Sequence, residues 1–237
     1  MARARSSRPL LPGTTSLKTL FRIAGALALA FSISAGAAAQ AAASQTPLDG
    51  YLDKLRTLRA EFSQTVTDSK GKKVQAAGGK LTIVRPGKFR WELTPYAATG
   101  SGQSSPQLMV ADGKNLWFYD RDLEQVSVKP ASAALTATPA GLLSGDGDIR
   151  QWFTVSSAGK RDGLDWVKVI PKQGDADFRE AQLAFDKSDL RRMVLKDKLG
   201  QTVRLDFLKS ERNPVVADAD VKFTPPEGAD VIGTPTP

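Results

Sequence analysis

Two aspartate pairs are the residues best spaced to do chemistry: Asp146/Asp148 in SGDGD and Asp175/Asp177 in QGDAD. Carboxylates this close can share a cation or divide the roles of general acid and general base. Both pairs sit beside glycines, and SGDGD lacks the third ligand position and the distal Glu of a calcium loop. Turn formation therefore accounts for them better than metal binding, and no metal or cofactor is expected. The chain has no histidine and no cysteine. That removes Ser-His-Asp and Cys-His nucleophiles, His/Cys zinc sites and thiol redox pairs. No GxxxxGK[ST] loop occurs, because Gly113-Lys114-Asn115 and Gly71-Lys72-Lys73 lack the following hydroxyl. A carboxylate-pair hydrolase is the enzyme class that the composition leaves open.

One charged residue is out of place. In KLTIVRPGKFRWEL, Lys80 to Leu93, the odd positions hold Leu81, Ile83, Phe89, Trp91 and Leu93, while Thr82, Lys88, Arg90 and Glu92 are even. A period of two describes two strands sharing an apolar face, joined at RPG. Arg85 is odd, so parity puts a guanidinium on that face near the rim of the sheet. A two-residue loop at Pro86-Gly87 would oppose Ile83 with Arg90 and mix the faces. A three-residue loop opposing Arg85 with Phe89, Ile83 with Trp91 and Leu81 with Leu93 keeps one apolar face. There Arg85 either snorkels to water or donates to carbonyls left open at the C-terminal end of a short covering helix. Leu142, Leu143 and Ser144, just before Gly145, are the expected partners. Phe62, Trp91, Met109 and Trp117 read as plain core or as the lining of a cavity.

The elements that must position these residues follow from periodicity. PLDGYLDKLRTLRAEF puts Leu48, Tyr51, Leu52, Leu55 and Leu58 at helical spacing. From about Ala60 the period shortens, and six strand-like runs follow, separated by DSKGK, RPG, DGK and RDLE. Gly78 and Gly79 fall inside one run, where a missing side chain allows a bend or bulge. The pattern breaks at residues 131–152. Thr138-Pro139-AGLLSG predicts a capped short helix ended by Gly145, and Asp148 can cap a second turn carrying Ile149 and Trp152. Four or five strands resume, and the Pro-rich tail is expected to fold back once and end loosely. So large an antiparallel sheet must bury one face, yet the helices are too few to cover it. The prediction is a mainly β fold with short α-helices: an incomplete, half-barrel antiparallel sheet with a helical lid over a hydrophobic cavity.

The full chain carries Lys+Arg 33 against Asp+Glu 25, net +8. Arg3, Arg5, Arg8, Lys18 and Arg22 precede an uncharged run from Ile23 to Ala39 and a small-residue exit, AAAQAAAS. These are the parts of a cleavable secretory signal, 1–41, with cleavage between 39 and 43 and best after Ala41. Without it 28 cationic residues face 25 anionic ones, net +3. A nucleic-acid partner thus loses its main support. Residues 42–237 are expected to form one domain, with 97–106 a mobile loop and 137–152 the lid.

FSQTVTDSKGKKVQ, GGKLTIVRPGKFRWEL, LMVADGKNLWFYDRDLEQV, the TP-x-x-LL segment and VKFTPPEG resemble, in order and spacing, the LolA family of periplasmic lipoprotein carriers. The resemblance implies a half-barrel of about eleven strands, closed by short helices, whose cavity shields lipoprotein acyl chains on the way across the periplasm. It implies that Arg85 holds the lid shut through backbone carbonyls, and that Phe89 and Trp91 line the cavity or its mouth. With Phe62, Leu81, Ile83, Leu93, Met109 and Trp117 these form the expected acyl-chain site. Implied partners are acylated lipoproteins, the inner-membrane lipoprotein-releasing ABC transporter and an outer-membrane receptor, with the carrier itself a monomer and not an enzyme. The competing expectation is a lipid-sensing or scaffolding envelope protein that binds acyl groups without transporting them.

Overall fold

A computed structural model of the chain describes residues 45–96, 106–132, 138–173 and 176–237. The expected signal, all but Pro106 of the expected loop, Ala137 and Asp175 lie outside them. The described residues belong to one compact unit, Ala41–Pro237.

The first helix, α1, spans Pro47–Lys54. Pro47 opens it without losing a hydrogen bond. The Asp49 carboxylate reaches back to the Thr46 N–H (2.6 Å) and hydroxyl (2.8 Å), satisfying an otherwise open donor. Leu48, Tyr51 and Leu52 form its buried stripe. The helix is shorter than the expected apolar spacing: Leu55 is already extended, and Leu58 belongs to the first strand. Leu58 satisfies both periods, three after Leu55 and two before Ala60, and the strand wins because Ala60 and Phe62 continue it.

The strands are β1 (Thr57–Thr67), β2 (Lys73–Val84), β3 (Lys88–Pro95), β4 (Gln107–Asp112), β5 (Asn115–Asp120) and β6 (Gln125–Pro130). After a helical interruption come β7 (Phe153–Arg161), β8 (Leu164–Pro171), β9 (Phe178–Asp186), β10 (Asp189–Asp197), β11 (Thr202–Arg212) and β12 (Asp230–Ile232). They make one sheet in the order β12-β6-β5-β4-β3-β2-β1-β11-β10-β9-β8-β7. The eleven longer strands pair antiparallel; β12, three residues long, joins β6 in parallel. The sheet stays open, with β7 and β12 at its edges.

The β2–β3 register differs from the expected one by two residues. Ile83 pairs with Phe89 and Leu81 with Trp91, so the loop is Arg85-Pro86-Gly87 and Arg85 lies outside the ladder. Gly87 takes φ +73°, which favours a glycine inside the turn rather than a strand residue there. A two-residue slip preserves parity, so the apolar face survives. The Gly78-Gly79 pair serves aromatic packing. A Cβ on Gly79 would lie 2.1 Å from Phe62 Cζ, while the Tyr96 ring covers Gly78 from the other side.

Each face of the sheet has its own core. On the helix-covered face Leu58, Phe62, Ile83, Phe89, Leu183 and Phe185 belong to one cluster that includes α1. On the opposite face Leu108, Val110, Trp117, Val126 and Val128 form a second cluster under Phe223 and Ala229 of the C-terminal segment. The tail does not end loosely: Asn115 exchanges two hydrogen bonds with Thr236, and the Lys114 ammonium donates to the Pro237 carbonyl (2.7 Å).

Candidate functional site

The helix expected as part of the lid, α2, spans Pro139–Ser144. Six residues are too few for a helix to persist by propensity. Thr138 accepts from the Gly141 N–H (2.8 Å), and Ala140, Leu142 and Leu143 are buried, so capping and packing on β2 and β3 hold it in place. Asp148 accepts from the Arg150 N–H and starts the 3-10 turn Ile149–Gln151, as its spacing predicts. Asp146 and Asp148 are exposed, and among the described residues no three His, Cys, Asp or Glu side chains gather as metal ligands.

Arg85 projects from the β2–β3 turn into the gap between the ends of both helices. Its Nε and Nη2 donate to the Gly145 carbonyl (3.1 and 2.8 Å), and Nη1 donates to the Leu52 carbonyl of α1. These are the carbonyls a helix C-terminus leaves open, where its dipole also favours a cation. The expected partners Leu142, Leu143 and Ser144 are therefore corrected by one residue, to Gly145, and α1 is added. The first two are core residues. The Ser144 carbonyl is held by the same turn through the Gly87 N–H (2.7 Å). The error has a physical source: the guanidinium reaches past the turn, leaving the nearer carbonyl to the backbone. Burial pushes the Arg85 pKa down from its ordinary value, and Asp146 and Asp53 oppose that shift. The group stays cationic at every physiological pH.

A second bridge ties α1 to the segment after α2. Arg150 forks onto both Asp49 oxygens, with Nη2 to Oδ2 at 3.0 Å and Nη1 on Oδ1. Burial alone would raise the Asp49 pKa, but the hydrogen bonds from Arg150 and Thr46 prevail and hold it below the usual carboxylate value. The two covering helices are thus joined to each other and to the β2–β3 turn by two arginines.

A cavity of about 430 Å³ opens toward the other end of β1. Trp91, Leu93, Met109, Phe118, Phe178 and Val203 give it an apolar wall. Strands β5 and β9 both border it, with Pro139 of α2. In a flat sheet those strands, seven steps apart in the strand order, would be separated by about 34 Å. Their convergence on one cavity requires the sheet to curl around it.

Of the residues expected to line it, Trp91, Leu93 and Met109 do. Phe62, Leu81, Ile83 and Phe89 lie in the cluster on the same face, at most 1 % exposed, packed rather than open. Trp117 is misplaced by the sequence reading. Phe118 pairs with Met109 and takes the cavity side, so Trp117 faces away, 5.6 Å from Phe223 between ring centroids, with its indole N–H on Asp112. In NLWFYD three aromatics follow one another, and alternation within the strand cannot choose a face. Phe178, Val203 and Gln64 were missed. Gln64 carried a usable signal, since it stands between Phe62 and Val66 in period two.

Residues 53–224 match the family model described as "Outer membrane lipoprotein carrier protein LolA". An outer-membrane lipoprotein carrier protein of Dechloromonas aromatica is 46% identical over 187 residues, covering 78% of this chain and 86% of that one. One of Chromobacterium violaceum is 41% identical over 217 residues, covering 91% and 98%. Among solved structures, a LolA-superfamily protein from Nitrosomonas europaea aligns over 76% of this chain and 99% of its own, with TM-score 0.41 and 12% identity. With the matched model spanning most of the curled sheet together with α2, the chain belongs to the LolA family of outer membrane lipoprotein carrier proteins.

Proposed function

We propose that this protein takes acylated lipoproteins released from the inner membrane, shields their acyl chains beneath the α1/α2 lid and delivers them to the outer membrane. It works as a carrier, not an enzyme. The observation that carries the reading is Arg85, which bonds the Leu52 and Gly145 carbonyls and so ties both covering helices shut over an apolar interior. An acyl chain in water costs about 0.8 kcal/mol per methylene, so a carrier must offer comparable apolar surface and still release it. A closed empty form that competes with an open loaded one meets both demands. Trp91, Leu93, Met109 and Phe118 receive the chains, and Phe62, Leu81, Ile83 and Phe89 become accessible as the lid lifts.

The chain would act as a monomer in the periplasm of a Gram-negative cell after loss of residues 1–41. An inner-membrane lipoprotein-releasing ABC transporter would supply cargo and an outer-membrane lipoprotein receptor would accept it. Among the described residues no helix is long and apolar enough to cross a membrane. The test is to incubate the mature protein with energised inner-membrane vesicles holding newly made lipoprotein. Cargo should appear in the soluble fraction bound one-to-one and pass to outer-membrane vesicles. Cargo that stays with the pellet, at carrier levels saturating the vesicles, would overturn the proposal.

A further inference from the structure

Gln64 is a polar side chain on an apolar wall. It lies on β1 between Phe62 and Val66, is 9% exposed, and its amide makes no hydrogen bond to any described residue. Among the described residues no fully enclosed side-chain nitrogen or oxygen lacks a partner, so this amide faces the open cavity rather than packed core. Water can bond this amide while the cavity is wet, but an acyl chain that fills the cavity displaces that water, and the resulting cost is offset only if the occupant itself bonds to the amide.

Three more glutamines line the same cavity from separate elements: Gln75 of β2, Gln107 of β4 and Gln201 before β11. None of their side chains bonds a described residue either. Among the described lining residues the charged ones are Asp177 and Asp197, with no Lys or Arg. The rest of the lining is mostly apolar. Such a lining suits a ligand with hydrocarbon chains and an uncharged head bearing carbonyls and N–H groups, since a primary amide can donate to one and accept from the other. It disfavours a lipid whose head is a net anionic phosphodiester, because that anion would sit beside two carboxylates with no cation among the described lining residues to offset them.

The geometry points to a headgroup filter: Gln64, with Gln75, Gln107 and Gln201, bonds the ester and amide groups of a neutral acylated head, while Asp177 and Asp197 exclude anionic phospholipid. This rests on the reading that the cavity takes acyl chains. It would let a carrier working beside a bilayer fill with lipoprotein in preference to the anionic phospholipid around it.

The test is displacement of a neutral fluorescent hydrocarbon from the mature protein at low salt by three ligands. They are a diacylglycerol, a phosphatidylglycerol with the same short chains, and an N-acyl, S-diacylglyceryl cysteine peptide amide. The wild type should bind phosphatidylglycerol roughly three- to tenfold more weakly than diacylglycerol, a gap that salt narrows. D177N/D197N, which keeps the side-chain oxygen that accepts from the Gln201 N–H, should close most of the gap. Q64L should lower lipopeptide affinity relative to the hydrocarbon reporter by roughly fivefold or more. Equal binding of the two glycerolipids by wild type, or an unchanged ratio in the double variant, would overturn the charge filter. An unchanged lipopeptide-to-reporter ratio in Q64L would overturn the role of the amides. If no acyl ligand displaces the reporter, the acyl-cavity reading itself falls.

Discussion

Replacing Arg85 by leucine removes the cation that spans both helices while keeping an apolar stem. The Gly145 carbonyl then loses two donors, whereas the Leu52 carbonyl retains the Leu55 N–H at 3.2 Å. A hydrogen bond from a charged donor contributes about 1.5–3 kcal/mol net. Arg85 is half-buried and Leu52 keeps a partner, so the low end applies, for a total of about 2–3 kcal/mol against lid opening. That corresponds to roughly 30- to 150-fold in the closed-to-open ratio. Cargo competes with closure, so its apparent affinity should tighten by up to the same factor and its transfer to acceptor membranes should slow. Two measurements check this: the rate of cargo release to outer-membrane vesicles, and hydrogen exchange at the Leu142 and Gly145 amides, which bond within α2. Arg85→Lys, with one point charge for two carbonyls, should fall between. Release at the wild-type rate together with unchanged exchange would refute the latch.

Three further outcomes follow from the packing. Gly79→Ala should destabilise the fold by about 2–3 kcal/mol in urea unfolding, because its Cβ meets Phe62 Cζ at 2.1 Å and the Glu92 carbonyl at 2.7 Å, and backbone cannot retreat; an unchanged midpoint would count against that register. The depressed Asp49 pKa means that its pairing stabilises the protein above the unfolded carboxylate pKa, about 3.9, and is lost as pH falls through the folded value. Asp49→Asn should therefore flatten the acid limb of stability below about pH 5, and a wild-type acid profile in that variant would exclude the pair as its cause. Phe118→Asp should abolish loading while Trp117→Phe, on the other face, keeps the soluble yield of cargo at the wild-type level; equal loss in both would reverse the assignment of faces.

What the sequence disclosed, and what it hid, divides along local and non-local physics. Alternation in KLTIVRPGKFRWEL gave the shared apolar face, and Thr138-Pro139 with Gly145 gave the lid helix, because both depend on neighbours in the chain. The shift of the β2–β3 pairing, the side of NLWFYD that meets the cavity and the second helix bonded by Arg85 depend on strands and carbonyls that the chain brings together from afar. Leu52 lies 33 residues before Arg85 and Gly145 60 after it. Parity could say that a cation sat on the wrong face, but not which carbonyls it would find. The second core escaped for the same reason, since Phe223 covers Trp117 across more than a hundred residues.

The volume of the cavity bears on why the proposed carrier would need a latch. Taking a methylene as about the size of a water molecule in the liquid, roughly 30 Å³, a 430 Å³ cavity holds about fourteen of them, or one acyl chain. A triacylated anchor with three such chains needs roughly three times that space. On the carrier reading proposed above, one chain enters the closed form, and the others require the helices tied by Arg85 to part from the core. Lid opening is then coupled to the number of chains bound rather than to contact with any single one. A monoacylated peptide should bind wild type and Arg85→Leu within about twofold of each other, since neither requires the lid to move. A triacylated peptide should bind the variant roughly 30-fold tighter or more, the difference being the closure free energy it no longer has to overcome. Titrating both peptides against both proteins isolates that coupling. If Arg85→Leu tightened the single-chain ligand as much as the triple-chain one, the lid would have to open for any occupant, and cavity volume would not be what sets the latch against the cargo.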